Sequence, residues 1–139
     1  MSAAQNFAAI GSSFGMRITA VQADATRRPF TGYLPHKGIG DPDGSIPEAV
    51  VAAGDLTRAL PDADVIVISV ALSPATHRLI DATALSLLSP SAILINVSRG
   101  AVIDTPSLID ALDRGRLARA CLDVFDDEPL DPASPLWNH

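Results

Sequence analysis

Three charged side chains in the second half of the chain stand where their types and spacing could do chemistry: Arg99, Asp123 and Glu128. Each closely follows an apolar run. Ile93-Leu94-Ile95 opens into Asn96-Val97-Ser98-Arg99-Gly100, Ala120-Cys121-Leu122 leads to Asp123, and Val124-Phe125 continues into the acidic turn Asp126-Asp127-Glu128-Pro129. A guanidinium keeps its proton at any working pH and can hold a planar acid through two parallel hydrogen bonds. By itself, an arginine after a strand forms a salt bridge more often than it takes part in catalysis. An aspartate at a strand end is equally a cap or turn residue.

The flanking elements decide whether such groups can meet. A uniformly apolar run that breaks into a polar tetrad and glycine is how a buried parallel strand opens onto a ligand crevice at its carboxyl end. After it the pattern predicts a helix. Thr105 is suited to the N-cap, Pro106 to the first helical position, Leu108, Ile109 and Leu112 form a 3/4-spaced stripe, and Gly115 after Arg114 supplies the stop. Strand, helix, strand makes a right-handed crossover that places Arg99 and Asp123 near the carboxyl ends of neighbouring strands.

The order NVSRG, DTPSLIDAL, GRLA, LDVF, DEPL and SPLW resembles the nucleotide-binding domain of the D-isomer-specific 2-hydroxyacid dehydrogenases. The likeness runs strongly from Asp64 to Trp137 and weakly from Ala4 to Gln22, and it implies an α/β fold, a doubly wound parallel sheet of Rossmann type. By resemblance, Arg99 is the substrate-binding and catalytic arginine, Glu128 the acid that partners a catalytic histidine, and Asp123 a contact to the nicotinamide carboxamide. Twenty-nine positions separate Arg99 from Glu128, which fits the family. The implied cofactor, NAD or NADP, would be lined by Gln22, Ala71, Thr76, Val97, Ser98, Arg99 and Asp123. The implied reaction is hydride transfer between that cofactor and a small 2-hydroxy or 2-keto acid.

Upstream, Met1 to Phe14 reads as the end of an amphipathic helix that Gly11-Ser12-Ser13 terminates. Phe14-Gly15-Met16 then matches the family's turn into a strand, Arg17 to Val21. Counted back from that turn, the last glycine of the family's phosphate loop falls near Ala4, and no G-x-G-x-x-G is present. The first strand and the glycine-rich loop are therefore expected to be missing from this chain, and dinucleotide affinity to be poor. Gln22 stands where the family has an acidic ribose ligand. A neutral side chain there, with Arg27-Arg28 following, suits a 2′-phosphate, while Asp24 offers the competing ribose contact.

Residues 28–47 hold four prolines and four glycines and read as a long loop, part of an insertion at about 24–47 whose Phe30, Tyr33 and His36 either pack within the loop, the preferred reading, or edge an adenine pocket. Glu48 to Leu60 reads as a helix interrupted at Gly54. Val65 to Val70 is a strand covered on both faces, ending in a loop where Ala71 and Ser73 depart from the family's proline and threonine. Asp81 caps a short helix, Ala82 to Leu88, which Ser89-Pro90 ends.

The chain's 139 residues suffice for one domain with a core, read here as a partial dinucleotide-binding domain without the substrate domain. A net charge of −6 with scattered cations disfavours nucleic acid and anionic lipid, and no apolar run is long enough to span a membrane. A cytoplasmic location is expected. The single cysteine, Cys121, is expected to be a small buried side chain, and three widely separated histidines suggest no metal site. His36, His77 and His139 read as surface residues, with His139 too early to be the family's catalytic histidine, so the chain alone is expected to show no turnover. Trp137 is expected to pack on the last turn. The rival expectation is a non-catalytic binding or dimerisation module, a homodimer through an exposed sheet edge.

Overall fold

The computed structural model describes residues 3–26 and 41–139 and divides into two compact units, Met1–Ala59 and Leu60–His139. Most of the expected insertion, with Arg27, Arg28, Phe30, Tyr33 and His36, lies outside the described residues.

The first unit opens with helix α1, Ala3–Ser13. Gly11 does not end it. The stop is Gly15, whose φ of 81° turns the chain so that Gly15 N–H donates to Ser12 O at 2.9 Å and Met16 N–H to Gly11 O at 3.0 Å. Gly11 is small for another reason: a Cβ there would stand 3.2 Å from Ile18 Cδ1, where the next strand begins. That strand, β1 (Thr19–Gln22), pairs in parallel with β2 (Ala49–Ala52), Thr19 opposite Ala49 and Gln22 opposite Ala52.

Strand β2 corrects the expected helix over Glu48 to Leu60. Adjacent Val50 and Val51 lose rotamer freedom in a helix but fit a pleated surface. The ladder carries on at both ends, Glu48 N–H to Ile18 O at 2.9 Å and Ala53 N–H to Gln22 O at 2.7 Å. Only Leu56–Arg58 keeps helical form, as a single 3₁₀ turn.

In the second unit β3 (Val65–Ile68), β4 (Ile93–Asn96) and β5 (Arg119–Leu122) form a parallel sheet in that order. Val65 faces Ile93, Ile93 faces Arg119, and Ile68, Asn96 and Leu122 end level at the carboxyl edge. Helices α2 (Ala82–Ser86) and α3 (Thr105–Asp113) pack together, and Leu85, Leu108 and Ala111 join Leu94, Val102 and Ile103 in the core. β4 is central, with Leu94 and Asn96 both wholly inaccessible.

The caps follow the residue types. Asp81 accepts from Ala84 N–H at 2.9 Å at the start of α2, as expected. For α3 the N-cap is Asp104, one residue before the expected Thr105, because its carboxylate reaches the Ser107 N–H while its backbone stays extended. Gly115, with φ of 63°, stops α3 as expected, with Arg116 N–H on Ala111 O at 2.8 Å. Cys121 is exposed rather than buried. It lies on the edge strand β5, whose alternate residues Arg119 and Cys121 face outward while Ala120 and Leu122 are partly covered. Trp137, on a closing 3₁₀ turn, is 64% exposed and donates from Nε1 to Asp131 O at 2.9 Å.

Candidate active site

The carboxyl end of β4 is a polar turn with a buried anchor. Asn96 Oδ1 accepts from Ser98 N–H at 3.0 Å and from Ser98 Oγ at 2.8 Å, and Asn96 Nδ2 donates to Arg99 O at 3.0 Å. Ser98 is buried, whereas Val97 and Arg99 on either side of it are exposed. The Arg99 guanidinium donates through Nη1 to Ser98 O at 2.7 Å, and no carboxylate pairs with it among the described residues. A solvent-facing guanidinium without an ion-pair partner is free to take an acid from solution.

Beyond Arg99 the 3₁₀ turn Gly100–Val102 is tied to the preceding loop: Arg78 N–H donates to Ala101 O at 2.8 Å, Ile80 N–H to Val102 O at 3.1 Å, and Asp104 N–H to Ile80 O at 3.0 Å. Arg78 holds a left-handed φ of 52° and reaches Asp104 at 3.4 Å. The Ser107 hydroxyl donates to the Asp104 carboxylate, and this bond holds the carboxyl below the usual aspartate range. Burial opposes the shift, while the Ser107 N–H and the Arg78 guanidinium add to it.

Gly100 is buried against the chain that follows β5. A Cβ at this position would run into the Phe125 carbonyl and the Asp126 nitrogen, so the Arg99 turn rests directly on the Phe125–Asp126 peptide. That second turn is closed by Glu128, whose Oε1 accepts from Phe125 N–H at 3.0 Å. Asp123 sits between, its N–H bonded to Asn96 O at 3.0 Å and its carboxylate exposed, with no side-chain partner among the described residues.

Six of the residues expected from the sequence to line a cofactor or do chemistry, Ala71, Thr76, Val97, Ser98, Arg99 and Asp123, therefore lie in loops that leave the carboxyl ends of β3, β4 and β5, and Glu128 follows in the same turn region. Thr76 works inside its own loop, accepting from Ser73 N–H at 2.8 Å and donating to Ala71 O at 2.7 Å. Gln22 ends β1 in the other unit, and Asp24 beside it closes a turn onto Thr26 at 2.9 Å. His77 is exposed in the turn after Thr76, and His139 lies 3.4 Å from Asp113. Sequence reading left Asn96, Gly100, Arg78 and Asp104 without a part in the site. A polar amide ending an apolar strand was the available signal for the first; the contact at Gly100 is long-range and leaves no local trace. Among the described residues a hollow of 260 Å³ lies between α2 and α3, beside Leu85, Pro106 and Arg116, and another of 250 Å³ is lined by Leu122, Phe125 and Trp137.

This arrangement has known counterparts. The sequence profile of the D-isomer specific 2-hydroxyacid dehydrogenase NAD binding domain matches residues 2–139. A glyoxylate reductase of Aeropyrum pernix is 37% identical over 129 residues, 93% of this chain and 34% of that protein. Glyoxylate/hydroxypyruvate reductase B of Pectobacterium atrosepticum is 46% identical over 82 residues, 59% of this chain and 26% of that protein. Among solved structures, phosphoglycerate dehydrogenase from Lactobacillus plantarum superposes with a TM-score of 0.79 at 31% identity, covering 97% of this chain and 38% of that one. A D-isomer specific 2-hydroxyacid dehydrogenase from Xanthobacter autotrophicus, in complex with NADPH and MES, superposes with a TM-score of 0.61 at 40% identity over 66% of this chain and 31% of that one. The chain thus spans about a third of the length of relatives that it matches nearly end to end. Parallel strands, the Arg99 turn and the match from residue 2 to residue 139 lead to one conclusion: the chain belongs to the D-isomer specific 2-hydroxyacid dehydrogenase family and corresponds to its NAD-binding domain.

Proposed function

We propose that this chain contributes the cofactor side and the substrate-anchoring arginine of a dehydrogenase that moves a hydride between NAD(P) and a small 2-hydroxy or 2-keto acid. The observation that carries the proposal is Arg99, exposed, free of any carboxylate among the described residues and presented at the carboxyl end of the central strand. Its guanidinium binds the acid's carboxylate in a bidentate manner. Glu128, on the turn against which Gly100 rests, is the acid that keeps a partner imidazole charged.

The residues fit a nicotinamide dinucleotide. Val97 and Leu72 expose apolar surface at the strand ends, 37% and 45% respectively, and the Asp123 carboxylate, without a side-chain partner among the described residues, can accept from a carboxamide N–H. In the second unit Ala71, Thr76, Val97, Ser98, Arg99 and Asp123 would line the bound cofactor, which supplies the hydride. A neutral Gln22 admits NADP as well as NAD, because it removes the repulsion that an acidic residue exerts on a 2′-phosphate. The same proposal includes a cytoplasmic location.

The test is binding. The 139-residue chain, titrated with oxalate, should show its Arg99 signals shift in an NMR spectrum, and Arg99→Ala should weaken that binding about tenfold or more. Asp123→Ala should weaken NADPH binding and leave oxalate binding in place. A folded wild-type chain that takes up neither probe would sink the proposal. The second reading, a binding or homodimerisation module, draws on the exposure of Phe7, Ile10, Phe14 and Met16 in the first unit. It expects a size that grows with concentration and indifference to both substitutions.

A further inference from the structure

We infer that Asn96 is the positioning residue for Arg99, a role that rests on the substrate-anchoring reading above. Its side chain is wholly inaccessible on the central strand, at a depth where Leu94 is its equal, so an uncompensated amide there would be costly. Both of its polar atoms are engaged instead. Oδ1 accepts both the N–H and the hydroxyl of Ser98, and Nδ2 donates to the Arg99 carbonyl, which also accepts from Val102 N–H at 3.3 Å. Only one orientation of the amide serves, since its two ends differ in chemistry and face a donor and an acceptor respectively.

The consequence reaches the guanidinium from both sides. Asn96 fixes Ser98, whose carbonyl receives Arg99 Nη1 at 2.7 Å, and it fixes the carbonyl of Arg99 itself. A core needs no amide at such a position, because an apolar residue of similar volume packs as well. The amide sets where the exposed cation stands, and a pre-set cation loses less freedom on taking its acid.

The test uses the 139-residue chain, its N96L and S98A variants and oxalate as the probe. Leucine keeps about the same volume and deletes all three bonds. In N96L the amide of Val102 should lose hydrogen-exchange protection while β3 amides keep theirs, and the oxalate midpoint should rise about tenfold. S98A, which removes only the hydroxyl arm, should fall between wild type and N96L. A folded N96L chain with wild-type protection at Val102 and a wild-type oxalate midpoint overturns the inference.

Should N96L fail to fold, N96D decides. A neutral carboxyl offers one donor and one acceptor, the two groups that the Asn96 amide uses here, so oxalate binding relative to wild type should recover as pH falls and weaken as that carboxyl ionises. Wild-type binding by N96D at every pH overturns the inference. If the wild-type chain itself takes no oxalate, the substrate-anchoring reading of Arg99 fails, and the Val102 protection in N96L or N96D alone judges the positioning role.

Discussion

Gly100 has no room for a methyl group, since the Phe125–Asp126 peptide occupies the space. Gly100→Ala should therefore lower stability by about 1–3 kcal/mol and shift the signals of both Arg99 and Glu128, measured by urea unfolding and by an amide spectrum. Stability unchanged within error would mean that the two turns do not touch. Asp104 gives a prediction in pH. Its carboxyl titrates lower in the folded chain than in the unfolded one, chiefly through the Ser107 hydroxyl, so its contribution is complete above the ordinary aspartate range, about pH 4, and is lost as pH falls through the folded value. Asp104→Asn should lower stability at neutral pH, where that contribution is complete, and the gap to wild type should close as pH falls below about 4, read by urea unfolding across pH. The polar strand end that carries Arg99 could be read from residue types; its contact partners could not, because Phe125 is far away in the chain and a glycine gives no hint of what lies against it.

Elements show the same division between local and distant causes. Both helix stops of the two long helices use one device, a left-handed glycine with a hydrogen bond closing five residues back, at Gly15 and at Gly115. Gly115→Ala meets open space, so its cost is conformational alone, about 1 kcal/mol, and a larger loss would show a packing role. Asp81→Ala should cost about 1 kcal/mol by removing the cap on α2, read by thermal unfolding. The strands β3 and β4 were legible because apolar β-branched runs leave little alternative, and β5 from the short apolar run Ala120-Cys121-Leu122 after the stop at Gly115. Strand β2 was not: Glu48 to Leu60 contains enough alanine and leucine to read as a helix, and its extended form depends on the ladder that β1 offers from some thirty residues upstream. The shift from Thr105 to Asp104 at the start of α3 is a choice between two good caps, settled by the hydrogen bonds that Asp104 accepts from Ser107 and its ion pair with Arg78.

At the scale of the molecule the chain divides into two compact units, and in the second Leu94 is wholly inaccessible on the central strand. Leu94→Ala should cost about 2–5 kcal/mol, enough to unfold the sheet that presents Arg99 in a marginally stable domain; a loss well under that range would show that the neighbours collapse into the space. Fold class was readable from the crossover pattern, and the exposure of Cys121 was not, because a strand sequence does not say whether it lies inside a sheet or along its border. That placement gives the chain a built-in gauge. Its single thiol stands on β5, so one equivalent of a maleimide dye should mark each molecule at a known strand, and the rate of labelling reports how much of that border is shielded in any assembly the protein enters.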